Sequence, residues 1–176
     1  MRLEDFELGD VTDWAGFMLI RVFHNNAEGL NDEQRVEALL HIPVGYVFVI
    51  DPKFGDSAQY KMTSGHKKDG ETPFDTAIRE ALGEAGIPIP PERVAYKTKY
   101  LAPRGDHWKA LCVGDIFEHE LRYMHDRDVE NEGEQPKYFT VADFYECMRS
   151  GKFRRDHFRM LEETSLILPL GREKAA

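Results

Sequence analysis

Runs of apolar residues, separated by turn-forming residues, predict a protein built from several β-strands and a few helices. The first run, Trp14–His24 (WAGFMLIRVFH), is rich in aliphatic and aromatic side chains and predicts a buried strand. Later runs of strand length are Gly45–Ile50, Tyr60–Thr63, Arg93–Leu101, Lys109–Glu120 and Lys137–Val141. The strands do not alternate regularly with helices, so the order indicates an α+β fold with a mixed sheet.

The best-defined helix is predicted over Pro73–Ala85. Thr72 and Asp75 have the spacing of a capping box, and Pro73 suits the first helical position. Gly86 is placed to end the helix in the left-handed conformation. One apolar stripe follows helical spacing and is expected to be buried: Phe74, Ala77, Ile78, Ala81, Leu82 and Ala85.

Other helices are predicted near both ends of the chain. Asn31 is a candidate cap for a short helix that carries Val36, Leu39 and Leu40 on one side. This helix lies in an insert, residues 25–42, which could be a substrate lid or a dimer contact; the sequence leaves both open. Near the other end, helices are expected at Asp143–Arg149 and Arg155–Glu163. No linker divides the chain, so we expect one domain over 1–176, with its core at about 12–162 and a tail at 163–176.

Composition excludes several classes of protein. The formal charge of −9 argues against a nucleic-acid binder, which normally carries a basic face. Two cysteines, Cys112 and Cys147, are too few for a disulfide framework. The acidic N-terminus has no signal-peptide pattern, and no apolar run is long enough to span a bilayer. We therefore expect a cytoplasmic protein that does not act at a membrane.

Glu80 and Glu84 are four residues apart, on the side of the predicted helix opposite its apolar stripe. Like charges at this spacing destabilise an isolated helix slightly unless something compensates them. A hard divalent cation is one compensator, because carboxylate oxygens suit Mg²⁺ and Mn²⁺. The alternative is a solvated helix face without a ligand, since exposed glutamates are common.

The spacing of the whole stretch 65–87 favours the first interpretation, because it resembles the nudix box of the nudix hydrolases. That pattern reads G, five residues, E, seven residues, R-E, an aliphatic, any residue, E-E, any residue, G and an aliphatic. The positions that match are Gly65, Glu71, Arg79, Glu80, Glu84 and Gly86. Gly83 departs from it, because it stands where the pattern has the first glutamate of the pair.

The resemblance implies an α-β-α sandwich with a mixed sheet, and hydrolysis of a nucleoside diphosphate linked to another moiety with Mg²⁺ or Mn²⁺. It implies that Glu84 is the main metal ligand, Glu80 a second ligand or base, and the Gly65 carbonyl a further ligand. Glu71 and Arg79 would form the internal ion pair of the box. Because Gly83 has no carboxylate, a catalytically impaired nudix-fold module that binds nucleotides remains the alternative.

Residues outside the box complete the predicted site. Glu134 and Glu132, in an acidic loop before a predicted strand, are candidates for an added ligand or base, although this loop could equally be a solvated turn. Candidate substrate-binding residues are Tyr60, Lys67, Arg104 and Trp108. The expected partner is a small nucleoside-diphosphate substrate, and a homodimer is possible.

Overall fold

A computed structural model describes residues 13–101, 107–124 and 133–167. The strands are β1 (Trp14–Phe23), β2 (Gly45–Ile50), β3 (Thr63–His66), β4 (Val94–Leu101), β5 (Trp108–Phe117) and β6 (Gln135–Thr140). The helices are α1 (Asp32–Glu37), α2 (Pro73–Ala85), α3 (Val141–Arg149) and α4 (Arg155–Glu163).

The strands form one mixed sheet in the order β4-β5-β1-β2-β6, with β3 also paired to β1. β1 is central: it runs parallel to β5 along its whole length and antiparallel to β2 and β3. β3 pairs with the first half of β1 and β2 with the second half, so both lie along the same edge of that strand. The prediction of a mixed sheet is confirmed.

Helices cover both faces of the sheet, and each face has its own apolar core. On one face, α2 contributes Ala77, Ala81 and Ala85 to a cluster with residues of β1, β2 and β5. On the other, Phe144 of α3 and Phe158 of α4 pack with aromatic residues of the sheet. The small alanines let α2 approach the sheet closely, which places its polar side chains near β3.

The capping signals predicted α2 correctly. The Thr72 hydroxyl accepts a hydrogen bond from the Asp75 N–H, and the Asp75 carboxylate accepts one from the Thr72 N–H. Gly86 ends the helix in the left-handed region at φ 75°. Leu82 contradicts the predicted stripe, because it is 46% exposed. It lies at the edge of the stripe, beyond the face that the alanines bury.

The predicted strand Lys109–Glu120 ends three residues too late, and the predicted strand Tyr60–Thr63 lies three residues too early. The chain leaves β5 after Phe117 because the Glu120 side chain caps a 3₁₀ segment there, accepting the Phe117 N–H at 2.9 Å and pairing with Arg93. The third strand covers Thr63–His66 rather than Tyr60–Thr63. Tyr60 and Lys61 make only isolated bridges, because the chain there passes from the side of β2 to the edge of β1.

The insert contains the predicted short helix, but α1 ends at Glu37, before Leu39 and Leu40. Asn31 caps α1, as expected, with a full capping box to Gln34. Of the three apolar residues predicted for this helix, Val36 is 55% and Leu39 is 78% exposed, and Leu40 packs against the small core of Phe23 and Phe117. Both cysteines are free, Cys112 buried and Cys147 half-buried. Among the described helices, none has the length and apolar character that crossing a membrane requires.

Candidate active site

The carboxylate of Glu80 lies directly against the backbone of Gly65. α2 packs along β3, and a Cβ atom placed on Gly65 would come within 2.0 Å of Glu80 Oε1. Any larger residue at position 65 would therefore push this carboxylate away. The close approach explains why glycine stands here, although its backbone conformation is one that other residues adopt.

Glu71 and Arg79 are brought together as a two-point ion pair. Arg79 Nε donates to Glu71 Oε1 at 2.6 Å and a terminal nitrogen donates to Oε2 at 3.1 Å. Glu71 also accepts hydrogen bonds from the Lys68 N–H and the Thr76 hydroxyl. The bonds from Arg79 are the main reason that the pKa of Glu71 falls to about 2. The pair ties the loop before α2 to the middle of the helix.

Arg79 links this pair to Glu80 and to β3. One guanidinium nitrogen contacts Glu80 Oε1, and another donates to the His66 carbonyl at 2.9 Å. The guanidinium therefore has contacts with two carboxylates and a strand at once. This arrangement orients Glu80 while leaving it buried.

Glu84 lies one helical turn further along α2 and is held on two sides. Its Oε2 accepts the Ser64 N–H at 2.9 Å, and Lys61 Nζ lies 3.4 Å from its Oε1. The same ammonium lies 3.1 Å from Oε1 of Glu134, which directly precedes β6. Lys61 therefore bridges a helix carboxylate and a loop carboxylate, and sequence reasoning assigned it no role.

Burial raises the free-energy cost of keeping Glu84 and Lys61 charged. Glu84 is 3% exposed, and its burial, with smaller contributions from Glu134 and Glu80, raises its pKa to about 8 although Lys61 opposes the rise. Burial alone would lower the pKa of Lys61, but Glu84 and Glu134 outweigh it and raise that pKa. Each charge at this site depends on the others for compensation.

The solvated-face interpretation of the two helix glutamates is therefore wrong. Glu80 is 7% exposed and Glu84 is 3% exposed. The apolar periodicity could not reveal this, because the second covered side of α2 faces polar groups of β3 and of the segment containing Lys61. The solvated-turn interpretation of Glu134 is wrong as well, since this residue is 5% exposed.

A cavity of about 560 Å³ opens beside the Lys61–Glu134 pair. Cationic residues on its wall include Lys53, Arg154 and Arg155. Arg154 pairs with Asp156 through two hydrogen bonds, and Lys53 pairs with Asp51 at 2.6 Å. The cavity is thus a polar pocket that could accept an anionic group next to the buried carboxylates. The cationic residues Lys53, Arg154 and Arg155 were not predicted, because they come from segments far from the box in the sequence.

Three of the four predicted substrate-binding residues are described, and each has an aromatic contact within the protein. Tyr60 packs edge-to-face on Phe139, with ring centroids 4.8 Å apart, as part of the core beneath α3. Lys67 lies over the Trp14 ring at 4.9 Å. Trp108 begins β5 and is covered by Lys99 at 5.0 Å. Arg104 and Glu132 fall outside the described residues.

The residues present suit a divalent cation in charge and in donor type. Four carboxylates (Glu71, Glu80, Glu84 and Glu134) are linked to two cations (Arg79 and Lys61), a formal excess of two negative charges. Within the described part of the chain, Oε2 of Glu134 is buried without a hydrogen-bond partner. Oxygen donors of this kind are what Mg²⁺ and Mn²⁺ prefer.

The arrangement nevertheless differs from a closed metal cluster. Over residues 13–101, 107–124 and 133–167, no three acidic, histidine or cysteine side chains are grouped as a metal site requires. Lys61 lies between Glu84 and Glu134, and Gly83 supplies no side-chain oxygen. The oxygen donors therefore suit a divalent cation, but the ammonium of Lys61 lies between two of the carboxylates.

Comparison with known proteins gives two kinds of match, one to a family model and one to solved structures. The NUDIX domain model matches residues 45–163, more than half of the chain. Similar solved structures include a MutT protein from work on Aliivibrio salmonicida and Vibrio cholerae, at TM-score 0.54 and 12% identity, covering 86% of this chain and 96% of that one. Another is a NUDIX hydrolase from Nitrosomonas europaea, at TM-score 0.52 and 12% identity, covering 88% of each chain. No curated protein matches the sequence.

Proposed function

Because the chain belongs to the Nudix family, we propose that it is a divalent-metal-dependent hydrolase of the diphosphate linkage in a nucleoside diphosphate joined to another moiety. A sugar nucleotide or an ADP-ribose-like compound is the substrate type we favour. The observation that carries the proposal is the set of buried carboxylates Glu80, Glu84 and Glu134, the last of which lines a polar cavity together with Lys53, Arg154 and Arg155.

The cavity wall supports binding of the diphosphate group. Arg155 is exposed at the start of α4, and Arg154 precedes it. Their guanidinium groups can donate charge-assisted hydrogen bonds to phosphate oxygens. Such contacts would hold the linkage next to Lys61 and Glu134, which line the same cavity.

The carboxylates divide the remaining tasks. Glu80, Glu84, Glu134 and the Gly65 carbonyl are the groups that would hold Mg²⁺ or Mn²⁺. When bound, the ion supplies neutralisation of phosphate charge and a more acidic water. Oε2 of Glu134 is buried and has no hydrogen-bond partner among the described residues, which favours this oxygen as an added ligand. Arg79 keeps Glu80 oriented, and the Ser64 N–H does the same for Glu84.

The test is a screen of nucleoside-diphosphate compounds with Mg²⁺ and with Mn²⁺, followed by Glu84→Gln. This variant keeps the shape of the side chain and removes its charge, and we expect kcat to fall roughly 100-fold or more. Glu146→Gln, on the exposed surface of α3, is the matched control and should keep full activity. Absence of turnover with every compound, or an unchanged rate in Glu84→Gln, would contradict the proposal.

A second candidate is a Nudix-fold module that binds nucleotides without rapid hydrolysis. Gly83 favours it, because this position supplies no carboxylate, and so does the ammonium of Lys61 between Glu84 and Glu134. This candidate predicts nucleotide binding by calorimetry with negligible metal-dependent turnover. A large gain in rate on Gly83→Glu would support it, whereas rapid turnover by the wild-type protein excludes it.

A further inference from the structure

The side chain of Lys61 forms the only described bridge between the helix carboxylate Glu84 and the loop carboxylate Glu134. Lys61 is largely buried, with 18% of its side chain exposed. Its backbone is held as well, because its N–H and carbonyl exchange hydrogen bonds with Val49 at 2.9 and 3.0 Å. The position of the ammonium is therefore set by the paired backbone and the buried side chain of Lys61, unlike that of an exposed surface lysine.

The neighbours of Lys61 show why its side chain points into the site. Tyr60 and Met62 belong to the core beneath α3 and α4. Side chains alternate between the two sides of an extended chain, so Lys61 faces the opposite side, where α2 lies. On that side its ammonium lies between Glu84 and Glu134 and compensates their charges.

We propose that Lys61 is a built-in cation that compensates Glu84 and Glu134, so that a divalent ion held by these carboxylates would have to compete with its ammonium. The inference rests on the proposed metal-dependent function. Its basis is geometric: one monovalent cation lies between two buried carboxylates that would otherwise repel each other.

Two consequences distinguish a built-in cation from an ordinary salt bridge. The protein without metal would keep its buried carboxylates compensated, so that the site stays folded. Metal affinity would be lowered, because the incoming ion competes with a tethered ammonium for the same oxygens. Gly83 acts in the same direction, since it removes a carboxylate that would favour the metal ion over the lysine.

The experiment measures Mn²⁺ binding directly, by electron paramagnetic resonance of free Mn²⁺, in wild-type protein and in Lys61→Met. Removal of a positive charge close to the ion should tighten Mn²⁺ binding by roughly ten-fold or more. Lys61→Arg keeps the charge and should show no such gain. Lys109→Met is the matched control: Lys109 is similarly covered, with 15% of its side chain exposed, but it pairs with Asp156. Equal or weaker Mn²⁺ binding by Lys61→Met overturns the inference.

A second measurement uses the unmutated chain, in case Lys61→Met does not fold. Reductive ¹³C-methylation labels the lysines, and Lys61→Arg identifies the Lys61 signal in the carbon spectrum. Addition of saturating Mg²⁺ should shift the Lys61 signal while leaving that of Lys109 in place. A Lys61 signal that does not move at saturation overturns the inference.

These readouts separate the inference from the proposed function. Tighter Mn²⁺ binding by Lys61→Met without turnover of any compound would leave the inference standing and remove the hydrolase proposal. Turnover by the wild-type protein with unchanged Mn²⁺ binding in Lys61→Met would support the hydrolase proposal and contradict the inference about Lys61.

Discussion

Substitution of Gly65 by alanine tests whether the contact between β3 and α2 positions the Glu80 carboxylate. The new Cβ would lie 2.0 Å from Glu80 Oε1 and 2.3 Å from its Cδ, whereas ordinary contacts begin at 3.4 Å. The carboxylate must therefore move by about 1.4 Å, or the strand and helix must separate. Both are costly, because Glu80 is buried and in contact with Arg79.

Overpacking of this kind costs about 1–3 kcal/mol. For a chain of this size the corresponding fall in Tm is roughly 2–12 °C. Displacement of a reacting group by about 1 Å costs on the order of 100-fold in rate, so kcat should fall by a similar factor. Thermal unfolding gives the first quantity, and a steady-state assay on the substrate found by screening gives the second.

A double-mutant cycle shows whether Glu80 is the cause. In Glu80→Ala the clashing atoms are absent, so adding Gly65→Ala should cost less than about 0.5 kcal/mol. If Gly65→Ala destabilises the Glu80→Ala protein as much as the wild type, the cost comes from the strand itself. The close approach would then have no part in positioning the carboxylate, and the reasoning would be refuted.

Three further substitutions test other parts of the structure. Glu71→Gln should lower stability by about 1–3 kcal/mol in chemical denaturation, because Arg79 loses a charged partner; an unchanged midpoint would show that the pair does not hold the loop. Burial lowers the pKa of His157, whose Nδ1 accepts a hydrogen bond from the Met62 N–H at 3.1 Å. As the pH falls below about 6.5, His157 is therefore protonated in the unfolded chain but stays neutral in the folded protein. Stability should therefore fall by up to about 1.4 kcal/mol per pH unit below that value, and His157→Gln should show a shallower pH dependence of Tm than wild type; parallel profiles would contradict this. Phe144→Ala should cost about 3–5 kcal/mol, since this fully buried ring packs between the sheet and α4, and a loss below 1 kcal/mol would contradict the described core.

Local signals in the sequence were sufficient for α2 and for the type of fold. The Thr72–Asp75 capping box, Pro73 and Gly86 act through bonds and dihedral angles within a few residues, so their effect does not depend on the rest of the chain. The apolar runs likewise identified the central strand β1 and the mixed sheet. The same local reasoning misplaced β3, because its position depends on pairing with β1 across the sheet.

The tertiary structure decided which of the glutamates are buried and which cations compensate them. From the sequence, Glu80 and Glu84 could form either a solvated helix face or an ion site. The apolar periodicity of the helix could not separate these two interpretations. Burial of both glutamates depends on β3, and compensation of Glu84 depends on Lys61, 23 residues away in the chain. Glu134 meets that lysine across 73 residues. Spacing along a helix reports which side chains share a face, but the electrostatic cost of a charge depends on what the fold brings against that face.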